Sequence, residues 1–255
     1  MVRRSIVEPV ARALALLGAF RPNDCWLTNR DLSLRTGLPP STVSRQTHGL
    51  VELGYLRHAP SERKYALAAS VLSLGYAAIA HTQVQQLSRV RMQALAQTHQ
   101  VHVVLCTRER MDLLIVECET SPSASIPQAL HVGARLELGA SPTGWAMLAA
   151  LPEVERYYLL EKVERRAAKD WPRLRRRISE AMSQVMEFGY CTSLGEWDPE
   201  LSLVASPLMV PGYAPLAIAC IGASTYMSSA RVRRELGPQL VGMTLAIQEE
   251  AGAIS

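Results

Sequence analysis

The chain has 255 residues, 48% of them hydrophobic and 20% charged, which supplies a packed core and excludes wholesale disorder. Its formal charge of +4 is unevenly placed: residues 1–70 hold ten Lys/Arg against five Asp/Glu, and the remainder seventeen against eighteen. The excess positive charge therefore belongs to the first quarter, where it points to a polyanionic partner.

Val10, Ala13, Leu14 and Leu17 recur at helical spacing and predict an amphipathic first helix that ends near Phe20. "RPNDC" breaks the pattern. A second, short helix is expected from Asn29 to Thr36, capped by Thr28 or Asn29 and stopped by Gly37 in a left-handed conformation. Pro40 suits the first position of a third helix, where a missing N–H leaves nothing unpaired. Val43, Thr47, Leu50 and Leu53 line one face of that helix as far as Gly54. Tyr55 to His58 and Lys64 to Leu67 read as two short strands around the turn "APSER".

Helix, short helix, four-residue turn, helix and hairpin form the outline of a winged helix-turn-helix. The polar face of the third helix offers Ser41, Thr42, Ser44, Arg45 and His48. Short hydroxyls reach phosphates and base edges without a bulky stem, and an Arg45 guanidinium can fork onto a guanine edge. Arg57, Arg63 and Lys64 on the hairpin approach neighbouring phosphates in such a complex, and Thr28 joins the DNA-contact candidates at the entrance to the second helix. The expected partner is double-stranded operator DNA.

From Ala68 to His99 the composition is helical, softly broken near His81–Thr82, and reads as a linker. The expected division is 1–68 for the winged helix-turn-helix, 69–99 for the linker helix region and 100–255 for a second domain. That domain opens with the strand-like runs "VHVVLC" and "MDLLIVEC". "TGWAMLAAL", "EVERYYLLEKV" and "DWPRLRRRISEAMSQVMEFGY" follow as helices, and a closing helix runs from about Ala230 to Glu250. Leu201 to Ala230 is free of charge, but Pro207, Pro211, Gly212 and Pro215 interrupt it, so two buried strands fit better than a membrane span. Strands gathered into hairpins between helices predict a mixed α+β fold.

Other motifs are better read as structure. "GASPTG" at 139–144 is not G-x-S-x-G, and "SERK" at 61–64 falls on an exposed turn where no buried lysine base can be prepared. His99 and His102 fit a helix end and a strand start rather than a metal pair, and "RLRRR" at 173–177 fits a solvated helix face. There is no G-x-G-x-x-G or G-K-[ST], so no nucleotide or other cofactor is expected. The five cysteines lack a C-x-x-C pair, and with no signal-peptide pattern at the start they read as reduced thiols of a cytoplasmic protein.

The first 75 residues resemble the IclR family of bacterial transcription regulators, through "VARALALLGAF", "LTNRDLSLRTGLPPSTVSRQTHGLVELGYL" and "KYALAASVLSLG". The resemblance continues through "VGARLELGASPTGWAMLAALP", "EFGYCTSLGEW", "LVASPL" and "LAIACIGAS", so it spans nearly the whole chain. It implies a ligand-responsive regulator acting as a homodimer or dimer of dimers. The C-terminal domain is then GAF-like, with an antiparallel sheet, flanking helices and a pocket for a small organic effector. Carried over by position, the pocket residues are Ser141, Thr143, Ser193, Leu203, Cys220, Gly222 and Ser224. Pro142 and Trp145 stand where the family usually has Ala and Lys, and the wing lacks the usual Gly-Arg. Leu203 and Trp197 suit a flatter, more apolar ligand such as an aromatic acid. The rival from another class is a small-molecule sensor or enzyme whose DNA-binding domain no longer works.

Overall fold

The computed structural model describes residues 7–21, 24–79, 83–121 and 130–254, and the chain divides into two compact units, 1–81 and 82–255.

In the first unit, α1 (Glu8–Leu17) precedes β1 (Leu27–Thr28), α2 (Asn29–Thr36) and α3 (Pro40–Glu52), then β2 (Leu56–Ala59), β3 (Lys64–Leu67) and α4 (Ala69–Ile79). The start of α2 is fixed by a reciprocal cap. The Thr28 N–H and hydroxyl both donate to the Asp31 carboxylate, at 2.9 and 2.6 Å, while Thr28 Oγ1 accepts the Asp31 N–H at 3.2 Å. Gly37 ends the helix at φ 71°, a conformation open to glycine at little cost, and returns its N–H to the Ser33 carbonyl at 2.9 Å. The small sheet runs β1-β3-β2, all antiparallel. Its core is Leu16, Leu27, Leu32, Val43, Leu50 and Leu56.

Two expectations about apolar stripes are corrected. Val10 and Leu14 are 55% and 62% exposed, and α1 instead buries Leu16 with Ala13 and Leu17 beside it. Leu53 is 71% exposed because α3 ends at Glu52, so Leu53 caps the helix instead of continuing its buried face. The expected helix break at His81–Thr82 lies outside the described residues.

The second unit is a six-stranded antiparallel sheet between two helical layers. Its strands are β4 (His102–Glu109), β5 (Asp112–Glu119), β6 (Arg135–Glu137), β7 (Cys191–Asp198), β8 (Leu201–Leu208) and β9 (Leu216–Ala223), ordered β6-β5-β4-β9-β8-β7. Alternation along each strand sends side chains to opposite faces. Val103, Leu105, Val204, Ile218 and Cys220 face α5 (Gln83–His99) and α10 (Gly237–Ile254), which follows the single-turn helix α9 (Ser229–Arg231). Val104, Cys106, Leu203, Ala219 and Ile221 face α6 (Pro142–Ala150), α7 (Glu153–Ala167) and α8 (Trp171–Phe188).

The uncharged segment is indeed two strands, β8 and β9, and no helix among the described residues is long and apolar enough to cross a membrane. α5 is no free linker: Val84, Met92, Leu95 and Ala96 are buried in the second unit's core. His99 ends α5 and places Nε2 2.6 Å from Gln239 Oε1, while His102 opens β4. Cys106, Cys191 and Cys220 are free and buried, and burial raises each thiol pKa, that of Cys220 to about 12.

Candidate nucleic-acid interface and effector cleft

Buried Val43, Thr47 and Leu50 on α3 anchor the helix to its own domain and turn the opposite side outward. That side presents Ser41, Ser44, Arg45 and His48, all exposed and spaced so that they share one face. Arg45 has no ion-pair partner among the described residues, and His48 Nε2 lies 3.4 Å from Glu52 Oε1 one turn on. Thr42 is half-buried at the edge of the stripe. On the hairpin, Arg63 is exposed at φ 52°, and Lys64 Nζ donates to Glu62 at 2.8 Å. Arg57 lies over the Trp26 ring at 5.4 Å from its centroid. Thr28 takes the capping role expected of it at the start of α2, and its hydroxyl proton is engaged by the Asp31 carboxylate at 2.6 Å.

The second unit builds a cleft where α6 begins. Ser141 caps α6 by accepting the Gly144 N–H at 3.1 Å. Glycine is required at 144, because a Cβ there would lie 2.0 Å from the Leu138 carbonyl oxygen. Trp145 is held by donating Nε1–H to the Gly139 carbonyl at 2.6 Å. Thr143 is fully buried, and its hydroxyl has no partner among the described residues. Across the cleft, the β7–β8 register shifts between Leu194 and Asp198, a bulge closed by the Trp197 N–H donating to Ser193 Oγ at 3.0 Å. The cleft itself has a volume of about 480 Å³ and is walled by Ala140, Trp145, Leu174 and Trp197, with Arg173 and Arg177 from α8 at its side.

The structure brings only part of the expected pocket together. Ser193 and Leu203 are paired in register, and Leu203 lies on the sheet face that packs against α6; of the expected pocket residues, Trp197 lines the cleft and Ser141, Thr143, Ser193 and Leu203 do not. Cys220 and Gly222 point to the other face of the sheet, where Cys220 packs in the α5–α10 layer and a Cβ on Gly222 would meet Met227 Sδ at 2.9 Å. Ser224 lies beyond β9, accepting from Ser202 and donating to the Pro199 carbonyl, each at 3.2 Å.

The solvated-face reading of "RLRRR" holds for Arg173, Arg175 and Arg176, which are exposed, while Arg177 is half-buried. Arg176 does point outward and pairs with Glu180 at 2.8 Å. Arg173, Leu174 and Arg177 line the cleft, and Arg177 lies 3.6 Å from Glu196. The signal in the sequence was the i, i+4 spacing of Arg173 and Arg177 around Leu174.

Residues 9–60 match the model of the IclR helix-turn-helix domain, and residues 76–249 that of the bacterial transcriptional regulator IclR C-terminal domain. Over 250 residues the chain is 32% identical to HTH-type transcriptional regulator TsaQ1/TsaQ2 of Comamonas testosteroni, covering 97% of this chain and 90% of that protein. The structure of an IclR family transcriptional regulator from Brucella abortus matches with a TM-score of 0.82 at 33% identity, over 97% of this chain and 94% of that one. An IclR homolog from Microbacterium hydrocarbonoxydans, solved as a complex with 4-hydroxybenzoate, shares the fold at 22% identity and a TM-score of 0.74, over 96% of this chain and 99% of that one.

Proposed function

The chain belongs to the IclR family of bacterial transcriptional regulators, and on that premise we propose that it controls a catabolic operon in response to a small organic or aromatic acid. Its relatives are DNA-binding regulators, so a reading as an enzyme has no support. The observation that carries the proposal is the division of α3. Val43, Thr47 and Leu50 hold the helix from behind, while Ser41, Ser44, Arg45 and His48 stand exposed on a domain with the chain's excess positive charge. In the proposed complex this face enters the major groove, Arg45 contacts a guanine edge, and Arg63 and Lys64 approach flanking phosphates.

A homodimer or dimer of dimers places two such helices in successive grooves of a near-palindromic operator. The effector occupies the second unit, near Ser141, Thr143, Ser193, Trp197 and Leu203. Ligand alters DNA affinity only by favouring one subunit arrangement over another, and the helices of 69–99 are the proposed lever. Fluorescence anisotropy on DNA from upstream of the neighbouring operon tests the reading. Binding should weaken steeply with salt, and Arg45→Ala should cost about 1–3 kcal/mol while relaxing base preference. Unchanged affinity and preference in Arg45→Ala would remove α3 from the recognition role.

A further inference from the structure

In the first unit Ala66 is buried, at 3% exposed, yet it lies outside the core formed by Leu16, Leu27, Leu32, Val43, Leu50 and Leu56. The strand pairing gives the reason. Leu27 pairs with Tyr65 and Leu56 with Leu67, so these four side chains share the sheet face that meets the core. Ala66 alternates to the opposite face, in line with Arg57 on β2. Continuing the β1 register one residue back from Leu27 sets Trp26 on its other side. Neighbouring strands are about 4.8 Å apart, so a contact between β1 and β2 has to cross the strand between them. Trp26 and Arg57 make that contact above Ala66, with the guanidinium carbon 5.4 Å from the centroid of the indole.

The next row of the same face holds Thr28, Lys64 and Ala59, and neither row contains a carboxylate. Arg57 is exposed, with no ion-pair or hydrogen-bond partner among the described residues. Trp26 is 38% exposed, although the core it could have joined lies on the other side of the sheet. An aliphatic side chain would cover Ala66 equally well; an indole also offers a cation its electron-rich face. The ring occupies only one face of the guanidinium, which leaves the N–H edge open to an anion. An arginine laid on a ring has already given up part of its rotamer freedom, so less is lost when that edge binds.

We infer that Arg57 binds a backbone phosphate of duplex DNA beside the groove entered by α3, and that Trp26 is the positioning residue that holds its guanidinium ready. The inference rests on the regulator reading and adds to it an aromatic platform at the base of the wing. Lys64 stands on the same face, so its proposed phosphate contact and that of Arg57 belong to one surface.

Fluorescence anisotropy with two labelled duplexes tests this, one from upstream of the neighbouring operon and one of random sequence and equal length. A phosphate contact is blind to sequence. Arg57→Ala should therefore weaken both duplexes by the same factor and lower the slope of log affinity against log salt by about one. Trp26→Ala should weaken both about two- to fivefold, and Trp26→Phe should restore part of the loss. In an Arg57→Ala background the Trp26→Ala change should cost nothing further, the mark of two residues acting as a unit. Trp26 is the only tryptophan in residues 1–81, and its emission should change on addition of either duplex, a change absent in Trp26→Phe. Affinities are compared at temperatures where melting curves show every variant folded. Equal losses from Trp26→Ala with and without Arg57, the result of a merely structural tryptophan, overturn the inference. So do an affinity and a salt slope unchanged in Arg57→Ala, and with Arg45→Ala still relaxing base preference the regulator reading survives either result. Equal affinity of the wild-type protein for the two duplexes would bring down that reading and the inference with it.

Discussion

Ser193 Oγ accepts the backbone N–H of Trp197 at 3.0 Å, across the bulge where β7 slips its register against β8. The hydroxyl is therefore a positioning group for an aromatic wall. Ser193→Ala leaves that N–H without its protein partner and should destabilise the second unit by about 1–2 kcal/mol. Urea denaturation gives the magnitude, and a change in tryptophan emission that is absent in Trp197→Phe would locate it.

Gly144 tolerates nothing larger. Its Cβ would lie 2.0 Å from a backbone oxygen, and backbone yields less readily than a flexible side chain. Gly144→Ala should lower stability by at least about 1–3 kcal/mol and disturb the Ser141 cap that orients α6. A melting curve indistinguishable from wild type would show that the loop before α6 can rearrange.

Thr28→Ala removes the hydroxyl half of the reciprocal cap, leaving the backbone N–H of residue 28 on the Asp31 carboxylate, and should cost about 1 kcal/mol. Because the hydroxyl is already used within the domain, operator affinity should fall only in proportion to unfolding of the first unit. A loss of affinity at temperatures where the domain is fully folded would show a direct role for Thr28 at the phosphate backbone.

Lys64 is partly neutralised by Glu62 at 2.8 Å. Glu62→Gln should release that lysine to a phosphate, tightening non-specific binding and steepening the dependence of log affinity on log salt by up to about one unit. Arg63→Ala should do the reverse on both counts, with base preference unchanged. Affinities measured across a salt series separate these outcomes.

Acid should unfold the first unit through two carboxylates. The Arg35 hydrogen bond holds the Asp24 pKa below the usual range, and the Thr28 hydrogen bonds do the same for Asp31. Depressed folded values mean that the unfolded chain binds protons first, so this stability is present above about pH 4 and is lost as pH falls further. Melting temperatures recorded from pH 6 to pH 3 should drop, and Asp24→Asn with Asp31→Asn should flatten the profile.

Much of the first unit was legible because its signals are short-range. Thr28, Gly37 and Pro40 act within one helical turn, so residue type alone places the boundaries of α2 and α3. Leu53, Val10 and Leu14 misled because helical periodicity does not say where a helix stops or which of two apolar flanks meets the core. In the second unit, β6 is only three residues long and β7 is polar and bulged, so neither shows a clean alternation. The sidedness of Cys220 and Gly222 depends on the register of β9 against β4 and β8. The split of "RLRRR" into cleft-facing Arg173 and outward Arg176 depends on how α8 is rotated against β7. Both are tertiary facts that no local window contains.

β9, though last in sequence among the strands, lies in the middle of the sheet and hydrogen-bonds β4 on one side and β8 on the other. Its partners in β4 are more than a hundred residues upstream. During synthesis, therefore, the two halves of this sheet wait as separate pieces with bare inner edges until residues up to Ala223 have left the ribosome. Only then can they zip together, a long-range closure of the kind that slows folding and leaves unpaired strands open to aggregation.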